Sequence, residues 1–252
     1  MSVITIDGLD WADIATQLDG EGHALLPGLL CGMSDSLRST ARDRAPMRGL
    51  FQQDAPIPDA SRARAAPSDR RHGEQLYFDA GLPAPLDTWR SAFYRHLAVI
   101  ANRWSEMLGV DDRHPPELGE FLRRDHDAGR ARARSHLNRL GVDEDIALHR
   151  CDDGEPVFPM RIVALLSEPG VDFLGGEFVM VEQRPRMQSR PIVVPLGFGD
   201  AAIIAAAERP VRGARGVYRV SLTNGIGRVR QGERIGLELS FGHLETGSFS
   251  AF

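Results

Sequence analysis

Residues 147 to 177 read ALHRCDDGEPVFPMRIVALLSEPGVDFLGGE, a succession of short apolar runs broken by Gly, Pro and Asp. Runs of this length, rich in Val, Ile and Leu and closed by turn formers, read as strands. In a strand, side chains two apart share a face, so His149 and Cys151 project together, and Asp153 follows on the same side. The texture continues outward on both sides. Ile146 to His149, Met160 to Leu166, Glu177 to Val181, Ile192 to Leu196, Ala201 to Ala206, Val217 to Leu222 and Ile235 to Phe241 form a series of short strands. Seven or eight strands at this spacing indicate a mainly β (α+β) jelly-roll barrel or sandwich. No Gly-rich βα turn supports a dinucleotide-binding alternative.

The first half has a different texture. Leu86, Trp89, Phe93, Leu97, Ile100, Trp104 and Met107 recur at three- and four-residue steps, which predicts a helix from about Leu86 to Leu108 that Gly109 stops. Shorter helices are expected at Leu9 to Leu18, from Ser34 or Asp35 to Arg44, and from Pro116 to about Ala131. Gly20 to Leu30 reads as a buried strand, and residues 46 to 83, rich in Pro, Asp, Arg and Gly, as a long surface loop able to cover a pocket. His114 and His126 lack partners at metal-ligand spacing and are read as surface histidines. The expected organisation is a single domain over 1–252, with helical support and a lid loop in 1–140 and the jelly-roll core in 141–245.

Composition narrows the chemistry. Cys31 and Cys151 are too few for a disulfide framework and lack zinc-site spacing. The basic residues are all arginine, and the absence of lysine excludes Schiff-base, pyridoxal phosphate and P-loop chemistry. A net charge of −5 argues against a general affinity for nucleic acid. No run approaches the ~20 apolar residues of a membrane helix, and the first residues lack signal-peptide character, so a cytoplasmic protein acting on a small-molecule substrate is expected.

Four stretches carry a resemblance: LLSEPG (165–170), GGEFVMVEQRPRMQSRP (175–191), ERPVRGARGVYRVSL (208–222) and ANRWSEMLG (101–109). They resemble a bacterial family of the Fe(II)/2-oxoglutarate-dependent dioxygenase superfamily, assigned by analogy to the oxidation of damaged nucleic acid. The resemblance implies a double-stranded β-helix and a metal held by an HxD pair and a later histidine. It also implies an arginine ten residues after that histidine for the distal carboxylate of 2-oxoglutarate. By this likeness His149 stands at the first ligand, Cys151 at the carboxylate, Asn224 at the second histidine and Arg234 at the arginine, with Gly236 where a hydroxyl residue is usual. Tyr218 is a second candidate contact for the co-substrate.

One imidazole and a neutral amide make a poor ferrous site, so iron is expected to bind weakly or not at all, while a Cys151 thiolate favours softer ions such as zinc or copper(I). His149, Cys151 and Asp153 remain candidates for general base, nucleophile or displaced ligand. Other roles stand beside these: a packed imidazole and buried thiol for His149 and Cys151, a turn for Asn224-Gly225, and a structural carboxylate (Glu233 or Glu238) for Arg234. The expectation is a diverged member of the family, an enzyme acting on a small molecule with an altered or lost iron site. The alternatives are a non-catalytic relative binding a small acid or a protein, and a working oxygenase with unusual ligands.

Overall fold

A computed structural model describes residues 5–31, 51–53, 71–78, 82–127, 135–150, 158–214 and 216–242. Among the described residues, three α-helices precede most of the sheet: α1 (Trp11–Glu21), α2 (Leu86–Met107) and α3 (Leu118–Asp127). Asp10 caps α1 by accepting from the Asp13 amide, and Gly22, at φ 77°, ends it. The α2 stripe predicted from its periodicity is present, with Leu86, Phe93, Leu97, Ile100 and Trp104 all buried. The helix expected between residues 34 and 44 lies outside the described residues.

The strands in chain order are β1 (His23–Leu26), β2 (Phe51–Gln53), β3 (Arg71–His72), β4 (Glu74–Phe78), β5 (His136–Leu140), β6 (Glu144–His149), β7 (Met160–Leu165), β8 (Phe173–Gly175), β9 (Phe178–Gln183), β10 (Arg190–Val194), β11 (Ala201–Ala205), β12 (Glu208–Gly213), β13 (Gly216–Ile226), β14 (Val229–Gly232) and β15 (Arg234–Leu239). They form a seven-stranded sheet, β1-β11-β7-β15-β5-β4-β2, and a second sheet, β10-β9-β13-β6-β3, to which β12 adds through β13; β14 pairs with β8. From β5 to β15 the chain passes back and forth between the two sheets. This gives the double-stranded β-helix expected from the sequence.

Several boundaries are corrected. The strand expected within Gly20 to Leu30 is β1, and β4 and β5 also enter the larger sheet from before residue 141, so the supporting half supplies strands as well as helices. Within the stretch read as a long loop, β2 and β4 form the edge of that sheet and β3 pairs in parallel with β6. HLNRL in β5 escapes notice because its inward side chains are polar, which breaks the apolar alternation that marks a strand. His114 is not a surface residue. Its ring packs edge-on against Phe121 and Phe158, at 5.7 and 5.0 Å, and burial lowers its pKa to about 4. His126 is exposed, beside Asp127.

Alternation gives the larger sheet two unlike faces. Ile162, Ala164, Ile203, Leu237 and Leu239 share one side, which meets the helical layer, as Phe241 does against Tyr94 of α2 (5.7 Å). The other side, from β5, β7 and β15, carries His136, Asn138, Arg161, Arg234 and Glu238, all buried. An enclosed face with that many charged and amide groups is not built for packing alone.

Candidate functional site

The polar face looks across the barrel to the second sheet, as a hydrogen bond shows. Arg161 Nη2 on β7 donates to Asn224 Oδ1 on β13 at 2.9 Å. The same guanidinium meets Glu238 of β15 through Nη1, joining three strands at one point. Burial alone would raise the Glu238 carboxyl. Arg161, with smaller contributions from His136 and His149, outweighs that and holds it below the usual carboxylate range.

Asn224 is 2% exposed and lies directly opposite His149 in the β13–β6 pairing. The two residues that resemblance puts at metal positions are therefore neighbours across one ladder. Asn224-Gly225 does not form a turn; both residues lie within β13, and Gly225 is needed because a Cβ there would sit 2.5 Å from the Ile146 carbonyl oxygen. His149 is exposed, and its Nδ1 lies 3.0 Å from the Ala147 carbonyl oxygen. A carbonyl only accepts, so that nitrogen carries the proton and Nε2 is left as the basic atom. Cys151 and Asp153 lie outside the described residues.

Arg234 is a second buried guanidinium and differs from the first. It is 2% exposed, its Nη1 donates to Asn138 Oδ1 at 2.8 Å, and its Nε is buried with no partner. Neither neighbouring carboxylate serves it, because Glu233 pairs with Arg139 at 2.7 Å and Glu238 with Arg161. Desolvation lowers its pKa to about 10. Gly236 leaves room for this arrangement: a Cβ there would stand 2.6 Å from Asn138 Oδ1 and 2.8 Å from Arg234 Nη1. The amide of Asn138 thus fills the place where a hydroxyl residue at 236 would stand.

Tyr218 is not part of this cluster. It lies six residues from Asn224 along β13, roughly 20 Å on an extended strand, beside Gly213 and hydrogen-bonded to Arg184. That end of the barrel is tied to α1 by Arg209, which donates to the Asp19 and Gly20 carbonyls and to buried Glu182.

The donor set can be tested against the groups the resemblance implies. Arg234 fits a carboxylate: a planar cationic fork, desolvated, with an unused donor. His149 and Asn224 do not fit ferrous iron. The Asn224 oxygen already accepts from a cation, and a divalent ion about 4 Å from that guanidinium would meet a repulsion of roughly 8 kcal/mol at an effective dielectric of 20, which the paired Glu238 carboxylate offsets only in part. Among the described residues, no group of three His, Cys, Asp or Glu side chains is placed to hold a metal. Arg161 was not singled out by the strand pattern, yet it is the one charge in the apolar run Met160–Leu165, and a charge so placed needs a buried partner.

The profile of a family described as "Oxygenase, catalysing oxidative methylation of damaged DNA" matches residues 73–244. An "uncharacterized protein" of Mycobacterium tuberculosis is 35% identical over 187 residues, covering 71% of this chain and 80% of the relative. Among solved structures, a prolyl-4-hydroxylase from Pseudomonas putida aligns over 90% of this chain and 96% of its own, with TM-score 0.51 and 15% identity. An oxidoreductase of the 2OG-Fe(II) oxygenase family from Burkholderia pseudomallei covers 93% and 92% at 20% identity, with TM-score 0.45. At 15% identity the likeness to the Pseudomonas putida enzyme speaks for the fold alone.

Proposed function

Because this chain belongs to the oxygenase family whose profile spans residues 73–244, within the Fe(II)/2-oxoglutarate dioxygenase superfamily, we propose that it is a diverged member with an altered iron site. It takes a small carboxylic acid of the 2-oxoglutarate type against Arg234 and acts on a small molecule. The observation that carries this reading is the buried Arg234 guanidinium, which has an amide partner, an unused Nε and, among the described residues, no carboxylate. A ligand carboxylate would supply the counter-charge the fold withholds, with geometry suited to the fork. Asn138 fixes the guanidinium plane, and Gly236 keeps that pair uncrowded.

The family is described by oxidative methylation of damaged DNA, and the metal position of the superfamily is one that His149 and Asn224 do not fit. The residues present can bind an anion at Arg234 and move a proton at His149 Nε2, which is enough for isomerisation, cyclisation or elimination. The acidic balance of the chain also favours a small molecule over nucleic acid.

Calorimetric titration of the full chain with 2-oxoglutarate, succinate and propionate, without oxygen and with a chelator present, tests the reading. One-site binding of the diacids is expected, unaffected by the chelator and lost in Arg234→Met. Binding that strictly requires added Fe(II), or that survives Arg234→Met, would overturn it. Screening small 2-oxo and hydroxy acids for turnover under the same conditions tests the catalytic part, and turnover should fall in His149→Gln.

A further inference from the structure

We propose that the Arg161 guanidinium is the resident cation of this barrel, standing where relatives of this fold would hold their metal. The placement comes from the ladder. Asn224 and His149 face each other across β13 and β6, and the cationic group directed at Asn224 Oδ1 belongs to the protein itself. A metal ion takes an oxygen lone pair at about 2.0–2.2 Å. The Arg161 Nη2 atom takes the same oxygen at 2.9 Å, the ordinary length of a hydrogen bond.

Three residues act as one unit in this arrangement. Asn224 is a poor ligand for iron but a good acceptor for a guanidinium. Arg161 could not be buried in an apolar strand without a counter-charge, and Glu238 provides it, the pair's side chains being only 7% and 12% exposed. Glu238 in turn would be a solitary buried carboxylate without Arg161. The charge that an iron site would complete with a bound ion is completed here by a covalently attached one. That cation cannot dissociate, does not change oxidation state, and already engages the Asn224 oxygen and the Glu238 carboxylate. The inference concerns β7 and β13 and does not depend on what Arg234 binds.

Cobalt(II) titration of the full chain without oxygen, read by calorimetry and by visible absorption, tests it on wild type, Asn224→His, Arg161→Met and the double variant Arg161→Met/Asn224→His. Circular dichroism checks that each is folded. Wild type and Asn224→His should show no stoichiometric binding. The folded double variant should gain affinity over Asn224→His by about 100-fold or more, because repulsion by the guanidinium is gone and Glu238 is released. Three results would each overturn the proposal: stoichiometric wild-type binding that His149→Ala removes, Asn224→His binding as tightly as the double variant, or a folded double variant with no gain. Should the double variant not fold, the single variant Arg161→Met decides in its place: a gain of cobalt affinity over wild type is expected, and a folded Arg161→Met with no gain sinks the idea. Titration with 2-oxoglutarate in parallel keeps this outcome separate from the fate of the Arg234 reading.

Discussion

Replacing Arg234 by methionine keeps an unbranched side chain as far as the position of Nε and removes the rest of the guanidinium with its charge. In the folded chain the charged form is penalised by burial, with a pKa lowered to about 10, which corresponds to a cost of about 3 kcal/mol. The substitution also leaves the Asn138 oxygen without its donor, which returns about 1 kcal/mol of that. The ligand-free variant should therefore be more stable than wild type by about 1–2 kcal/mol, a rise in Tm of roughly 2–8 °C for a chain of this size. A carboxylate ligand reverses the order. At a free concentration of 100 times Kd it stabilises wild type by about 2.7 kcal/mol, roughly 5–10 °C, and leaves the variant unmoved. Thermal melts followed by circular dichroism, with and without 2-oxoglutarate or succinate, read both halves. If Arg234→Met melts well below wild type without ligand and responds equally to the diacids, Arg234 is a structural group and the reasoning fails.

The Arg161–Glu238 pair should behave in the opposite way. Glu238→Gln leaves a buried guanidinium uncompensated and should cost about 3–5 kcal/mol in urea denaturation, whereas Arg161→Met/Glu238→Gln should recover most of that loss. Since the folded Glu238 carboxyl is held below its unfolded value, its contribution is present above about pH 4.3 and is lost as pH falls through the folded value. The urea midpoint of wild type should therefore drop more steeply below pH 4.3 than that of the double variant. His114 is also depressed, to about 4 by burial, but it is a base: below about pH 6.5 the unfolded chain takes up a proton that the folded ring refuses. Stability should decline by roughly 2–3 kcal/mol between pH 6.5 and 4, and His114→Phe should flatten that slope, as urea midpoints across the range would show. Gly236→Ser puts a Cβ 2.6 Å from Asn138 Oδ1; calorimetry should show weaker diacid binding, with circular dichroism unchanged.

The parts of the fold that follow simple periodicity were legible in the sequence, and the exceptions share a cause. In α2 the stripe from Leu86 to Trp104 gave the helix, because its buried side is wholly apolar. β7 and β11 were visible because both of their faces are buried. β5 was not, since His136 and Asn138 take the inward positions where apolar residues would announce a strand. Those same residues belong to the site, so the pattern failed at the functional face. His149, Asn224 and Arg234 could be picked out by resemblance, but what holds Asn224 could not. Arg161 is sixty-three residues away in sequence, and only the crossing from one sheet to the other brings its guanidinium to the amide. Likewise Asn138 could not be foreseen beside Arg234, because the pairing of β5 with β15 sets it there.

Two arginines look into one barrel, and the difference in their surroundings separates their roles. Both are almost wholly buried, so desolvation acts against each. Arg161 recovers that penalty within the protein, from a carboxylate and an amide oxygen on two other strands. It has little to gain from a ligand, and an incoming anion would have to displace Glu238 from a buried site to reach it. Arg234 recovers only what an amide can return and has no carboxylate partner among the described residues. An incoming carboxylate gains a counter-charge there and displaces no anion. A small acid entering the barrel should therefore distinguish between two chemically identical groups and settle on Arg234. A charge-reversed probe gives the matching test. Arg234→Glu should abolish diacid binding, while Arg161→Met, where folded, should leave it within about threefold, since the group removed already had its counter-charge in Glu238.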